Sequence, residues 1–393
     1  MNQWQWRSRF FLCVLLSLWL CLAVGPIGAR NRISELRGVW LTNVDSPVLF
    51  DATRTRNALD ALSDLNFNTV YPTVWNWGHT LYPSQVAQAV TGLALDPEPG
   101  LQNRDVLAEI CDRAREKNLS VIPWFEFGFM APAYSELAKR HPEWLTQRAD
   151  GSTVWLEGGQ HERVWLNPIM PQVQDFLTAL LVEIVERYDI DGIQVDDHFG
   201  YPSDFGYDSF TVDLYQAEHN GQAPPEDPKD DAWIDWRAAK ISDYVVNLRQ
   251  TLKSLDPTLV VSVSPNPQPF SRESYLLDWA TWLERGLIDE LVIQVYRDSQ
   301  ERFEYELSDT SAMAAQKKIP VSIGILTGLK NQTVPSKRIR KQVKIAREQN
   351  YAGVSFFFYE SLWTLADESK SQRQDVFRQL FTHPVPRPEL VKD

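Results

Sequence analysis

From Leu36 onward the chain alternates between short apolar runs and longer stretches whose apolar residues recur every three or four positions. "LRGVWLTNV" (36–44) has the composition of a buried strand, and "RTRNALDALSDLN" (54–66) after it has the period of an amphipathic helix. The couplet recurs as 68–75 with 104–118, 120–127 with 171–189 after a long insertion, and 191–197 with 235–255. It continues as 259–265 with 275–286, 290–296 with 303–318, 320–326 with 336–350, and 352–360 with 370–381. Asn66, Asn118 and Asn350 each close a helical stretch just before the next apolar run, as helix stop signals do.

Nearly continuous apolar strands separated by helices imply a parallel sheet covered on both faces. Eight couplets in about 350 residues match an α/β fold of one kind, a single (β/α)8 TIM barrel with enlarged βα loops. A doubly wound open sheet would carry a glycine-rich phosphate turn after its first strand, and "TNVDSPVLF" is not one. The expected organisation is a signal peptide over 1–29, a barrel over 30–383 and a C-terminal tail over 384–393.

The first segment has its own logic. Arg7 and Arg9 precede an unbroken apolar run over 10–25, and Gly28-Ala29 offers a small-residue cleavage site. This predicts an exported protein, periplasmic or held in the cell envelope, cleaved near Ala29. Membrane contact is expected only if the segment is retained as an anchor. Lipid attachment at Cys21 is disfavoured by Leu20 before it. Cys13 and Cys21 lie in this segment, so Cys111 is the one cysteine left and cannot form an internal disulfide.

The formal charge of −13 becomes about −15 once Arg7 and Arg9 leave, and such a surface repels phosphate backbones. Nucleic acid is therefore not an expected partner; "SKRIRKQVK" (336–344) reads as the exposed face of a helix. Six scattered histidines show no zinc spacing, so no metal and no cofactor is expected. Fifteen tryptophans are many for this length and suit a groove that stacks on flat ligands, although core filling accounts for a share of them.

In a barrel the site is built where strands end. The strand ends offer Asn43; Tyr71, Trp75 and Trp77; Trp124 and Glu126; Gln194 leading to Asp196, Asp197 and His198; Gln294 and Tyr296; and Glu360. Carboxylates among aromatic and amide side chains describe a carbohydrate site, and glycoside hydrolysis needs two carboxyl groups flanking one bond. Strand alternation puts Gln194 and Asp196 on one face and Val195 and Asp197 on the other. Asp196 is thus the candidate nucleophile or charge stabiliser. Asp197 is the further catalytic candidate: it orients Asp196 or accepts a substrate hydroxyl, one of the two adjacent carboxyls can titrate high and serve as the acid, and the plain alternative is that Asp197 caps the following loop. Glu126, in "PWFEFGF", sits among rings that disfavour charge and is the candidate acid or else a hydroxyl binder. His198 is expected to bind a hydroxyl or orient Asp196. Asn43, Tyr71, Trp75, Trp77, Trp124, Gln194, His198, Gln294, Tyr296 and Glu360 are the expected substrate contacts.

"RGVWLTNVDS", "LNFNTVYPTVWNWGHTLYPS", "VIPWFEFG", "VWLNPIMPQVQDF", "YDIDGIQVDDHFGYP", "VSVSP", "IDELVIQVY" and "GVSFFFYE" together resemble the glycosyl-hydrolase-like 10 family of bacterial TIM-barrel proteins. The resemblance runs from about Leu36 to about Phe381. It implies an envelope protein acting on glycan, with peptidoglycan glycan strands as substrate. Related barrels that hydrolyse poly-N-acetylglucosamine use an Asp of the corresponding doublet, which carries over onto Asp196 and Asp197 only. The family pattern has Asn where this chain has Glu126 and Tyr where it has His198, so the acid stays open. The expectation is an exported glycoside hydrolase with a polysaccharide partner. A non-catalytic carbohydrate-binding barrel and a metal-dependent deacetylase are its rivals. Retaining, inverting and substrate-assisted chemistry all remain open.

Overall fold

The computed structural model describes residues 34–390, so the signal-peptide reading of 1–29 falls outside the described residues. Nine strands form one parallel sheet: β1 Leu36–Leu41, β2 Thr69–Pro72, β3 Ser120–Val121, β4 Trp124–Phe125, β5 Gly192–Asp196, β6 Val260–Ser264, β7 Glu290–Gln294, β8 Val321–Leu326 and β9 Gly353–Phe357. Their spatial order is β3-β2-β1-β9-β8-β7-β6-β5-β4.

The two edges of that sheet belong to one stretch of chain. β3 and β4 are halves of the single strand expected over 120–127, parted at Ile122-Pro123 because proline has no N–H to give to a ladder. Ile122 N donates to Val70 O at 3.0 Å on one side, and Gln194 N donates to Pro123 O at 2.8 Å on the other. The sheet therefore curls until its edges meet, a TIM-barrel-like arrangement.

The six longest helices are α1 Ala52–Asp64, α2 Val106–Lys117, α3 Pro171–Arg187, α4 Asp231–Leu255, α5 Ser336–Glu348 and α6 Lys370–Leu380. Asp51, Asp105 and Asp230 each cap a first turn by accepting a backbone N–H. Asn66, Asn118 and Asn350 do stand just past helix ends, each with positive φ, a conformation asparagine tolerates. Two expected helices are instead broken. The stretch 275–286 holds only Trp279–Glu284 and the end of a helix it did not include, Gln268–Tyr275, which Leu276 in the left-handed region closes. The stretch 303–318 holds Gln300–Leu307 and Thr310–Ala315, because Asp309 accepts from Ser311 N and Ala312 N and starts a new helix. The insertion before α3 forms a small antiparallel sheet of Met130–Pro132, His161–Trp165 and Trp155–Glu157.

The expected tail closes the floor of the sheet. Pro386 O accepts from Glu35 N at 3.1 Å, Val385 O from Asn68 Nδ2 at 3.1 Å and His383 O from Arg37 Nη1 at 2.7 Å. Arg387 forms an ion pair with Glu290, the buried first residue of β7. Glu290 Oε1 also accepts from Ser262 Oγ at 2.9 Å and Tyr71 Oη at 3.2 Å. One buried carboxylate thus joins three strands to the C-terminal segment. The opposite end of the sheet is left for the site.

Candidate active site

β5 delivers the doublet. Ile193 and Val195 pack outward into the main core, while Gln194 points inward and bonds Trp40 Nε1 at 2.8 Å and Ser262 Oγ at 3.0 Å. Asp196, two residues on, shares that inward face and ends the strand. β4 runs beside β5 with Trp124 opposite Gln194 and Phe125 opposite Val195. The pairing ends there; Glu126 and Asp196 are the next residue of each segment, and the Asp196 charge acts on the Glu126 carboxyl.

Their surroundings separate them. Glu126 Oε2 accepts from Asn76 Nδ2 at 2.8 Å and Thr73 Oγ1 at 3.1 Å. Burial, with the Asp196 charge added to it, pushes the Glu126 carboxyl up to about 8. Asp196 Oδ1 accepts from His198 N at 2.9 Å and from the His198 ring at 3.0 Å. Burial pulls the His198 imidazole down, but the Asp196 charge, its hydrogen bond and the charges of Asp197 and Glu157 outweigh it and raise the ring to about 9. Glu126 is thus biased toward its protonated form and His198 toward its charged form. Among the described residues nothing donates to Glu126 Oε1 or Asp196 Oδ2. Those two oxygens are available to a substrate.

Asp197 turns the other way. Its Oδ2 accepts from Asn266 N at 2.9 Å and Asn266 Nδ2 at 2.5 Å, and its Oδ1 accepts from Ser271 Oγ at 2.5 Å. Both oxygens are spent on anchoring the loop after β6. Burial nonetheless raises its carboxyl above the ordinary range. The side-chain bonds of Asp197 go to the loop after β6 and not to the loop that follows Asp197 itself.

The loop after β4 passes close over the doublet. A Cβ on Gly128, at φ +47°, would lie 2.3 Å from the His198 carbonyl oxygen, so only glycine fits there. Phe129 N donates to that same oxygen at 2.8 Å. His198 is boxed by Trp165, Phe127 and Tyr275, with ring centroids at 5.8, 6.0 and 6.3 Å.

The expected contacts divide into three groups. Asn43 Oδ1 accepts from Asn76 Nδ2 at 2.8 Å and so belongs to the Glu126 network. Tyr296 stacks on Phe357 at 5.5 Å, and burial followed by the charges of Asp196 and Glu126 raises its phenol well above the ordinary value. Trp124 meets the same Phe357 edge-on at 6.2 Å. Gln294 donates to Ser264 O at 2.7 Å and holds β6 to β7.

Three others are structural. Tyr71 and Gln194 are fully buried and satisfied within the sheet's interior, below the carboxylates. Trp75 is fully buried against Phe176 and donates to Gly128 O at 2.9 Å, so it supports the loop and cannot stack on a ligand. Trp77 sits at the tip of the turn joining Trp75–Asn76 to His79–Thr80, with positive φ at Trp77 and Gly78, and is 38% exposed. Glu360 accepts from Thr364 Oγ1 at 3.0 Å within its own short helix.

Sequence reasoning passed over Thr73, Asn76, Trp165, Phe357 and Tyr275. Asn76 carried a signal, as an amide between two tryptophans in "WNW". Trp165 carried none, since its neighbour His198 lies in the turn after β5, 33 positions further along the chain. Among the described residues no group of three or more His, Cys, Asp or Glu converges to hold a metal.

A cavity of about 600 Å³ on the β5–β6 side is lined by Tyr275, Trp155, Phe270, Asp231 and Glu273 among others. A second of about 540 Å³ on the β7–β8 side is lined by Tyr296, Phe357 and three arginines. Tyr275 ties the first to Asp196 through His198, and Tyr296 brings the second alongside the carboxylate pair.

The glycosyl hydrolase-like 10 family matches residues 35–346. The chain belongs to that family. Glycosyl hydrolase DigH of Escherichia coli strain K12 is 26% identical over 317 residues, covering 69% of this chain and 67% of DigH. Glycosyl hydrolase YngK of Bacillus subtilis strain 168 is 24% identical over 73% of this chain and 59% of YngK. In fold, the glycoside hydrolase domain of PgaB (BpsB) from Bordetella bronchiseptica is similar with a TM-score of 0.61 at 15% identity, covering 86% of this chain and all of that domain. The catalytic domain of a β-amylase from Paenibacillus polymyxa gives 0.60 at 11% identity, covering 88% of this chain and 98% of that one. Family and fold are those of glycoside hydrolases.

Proposed function

We propose that this protein hydrolyses glycosidic bonds in a cell-envelope polysaccharide, with Glu126 as general acid and Asp196 as nucleophile or charge stabiliser. The observation that carries this reading is that two carboxyl groups, each following the last paired residue of adjacent strands, act on each other electrostatically, with burial and the Asp196 charge pushing Glu126 up to about 8 while His198 bonds Asp196. Glu126 holds a proton at neutral pH and can deliver it from Oε1 to a leaving oxygen. Asp196, fixed by His198, presents Oδ2 to the anomeric carbon or to the charge that develops there. Asn43, Asn76 and Thr73 set the Glu126 carboxyl, while His198 and the Asp197-anchored loop set Asp196.

Peptidoglycan glycan strands are the first candidate substrate. The basic-then-apolar run before Ala29 supports export, and the family resemblance supports an envelope glycan. Incubating the purified protein with peptide-free glycan strands should release reducing ends. Binding of those strands with no new reducing ends would instead mark a carbohydrate-binding barrel without turnover.

A further inference from the structure

The cavity on the β7–β8 side is lined by three arginines and two carboxylates, and two of the three arginines are paired. It is lined by Arg297, Arg302 and Arg338 with Asp298 and Glu306, above an apolar wall that includes Leu326 and Phe357. Arg297 pairs with Glu306 at 2.8 Å, and Arg302 with Asp298 at 3.7 Å. Arg338, in the first turn of α5, is half-buried and has no ion pair or side-chain hydrogen bond among the described residues. The run "SKRIRKQVK", which reads as a solvated helix face, therefore turns one guanidinium into a cavity. In a chain of charge −13, an unneutralised arginine beside a stacking tyrosine is a feature in need of a partner.

We propose that this cavity is a subsite for a sugar residue bearing a carboxylate, read by Arg338. The inference rests on the glycan-hydrolysis reading and deepens it. One unpaired guanidinium matches a monoanion, and its planar fork suits a carboxylate in two-point contact. Tyr296 and Phe357, stacked on each other, line the same cavity as Arg338 and supply apolar ring surface for the sugar. A neutral sugar would leave Arg338 partly desolvated and unpaired, so the site discriminates by charge.

Binding of the Asp196→Asn protein, which still holds ligand but does not turn it over, is measured by titration calorimetry. The probes are peptide-free peptidoglycan strands with free ether-linked carboxylates, the same strands with carboxylates reduced to alcohols, and a polyuronate of equal length. The expected result is about tenfold tighter binding of the acidic strands than the reduced ones. Arg338→Gln, added to that background, should erase the difference, and Arg338→Lys should keep part of it. Tighter binding of the polyuronate than of the strands would place the carboxylate on the ring and keep the arginine's role. Equal affinity for acidic and reduced strands, or a preference that survives Arg338→Gln, overturns the subsite. Failure of the wild-type protein to release reducing ends from any probe would defeat the hydrolytic reading alone, since the affinity ratio is read separately.

Discussion

Asp196 Oδ1 accepts both the backbone N–H and the ring of His198, at 2.9 and 3.0 Å, so one residue fixes the carboxylate from two directions. His198→Gln removes the ring's charge and changes the reach of its hydrogen bond while leaving the backbone bond in place. Turnover of glycan strands should fall about ten- to a hundredfold with KM little changed, the cost of a reacting group held in the wrong orientation. Steady-state kinetics check it, and an unchanged kcat would mean that Asp196 needs no orienting partner.

Glu126 makes the pH profile informative. A general acid raised to about 8 must keep its proton, so kcat/KM should hold through neutral pH and fall as pH passes about 8. Glu126→Gln should be nearly inactive and lose that alkaline limb. Stability carries the same sign. Between its ordinary pKa and about 8, the unfolded chain releases the Glu126 proton while the folded chain keeps it, so folding weakens as pH rises. His198 adds to this, because its stabilising charge is fully present below its unfolded pKa and is lost as pH rises through about 9. Melting temperature should therefore drop from pH 6 to pH 9, and drop less in Glu126→Gln. A steeper decline in that variant would contradict the assignment.

The floor of the sheet should be sensitive to one residue near the C-terminus. Arg387→Ala leaves Glu290, 2% exposed, as an unpaired buried carboxylate, and breaking such a pair costs about 3–5 kcal/mol. Urea denaturation measures it. Glu290→Gln placed on top should recover part of the loss, because the uncompensated charge goes with it.

How much of this the sequence carried depended on the range of each interaction. The eight couplets and the inward placement of Asp196 follow from periodicity, which is local. Alternation assigns a face but not a depth, which is why Tyr71, Gln194 and Trp75 looked like groove residues and are packed interior ones. Asp197 was ambiguous because its partners Asn266 and Ser271 are 69 and 74 positions away. Arg387 looked like part of a loose tail because its partner stands 97 residues upstream. The helix breaks at Leu276 and Asp309 came from caps that a period count ignores.

Two tryptophans in one motif should part company. Trp75→Ala empties a fully buried site and should cost about 3–5 kcal/mol of stability. Trp77→Ala, at an exposed turn, should leave melting nearly unchanged and weaken glycan binding by about 1–3 kcal/mol if the ring stacks on sugar. Melting curves and binding isotherms on both variants separate core from groove.

The most direct measurement is glycan release by Asp196→Asn with a melting curve beside it. The change is nearly isosteric and removes charge without opening a cavity. The account predicts loss of reducing-end release with glycan affinity close to wild type and a folded protein whose melting temperature falls only by the loss of the Asp196–His198 pair, because the interaction lost to catalysis belongs to the transition state. Asp197→Asn should instead lower stability, since its oxygens hold Asn266 and Ser271. Full activity in Asp196→Asn would contradict the account.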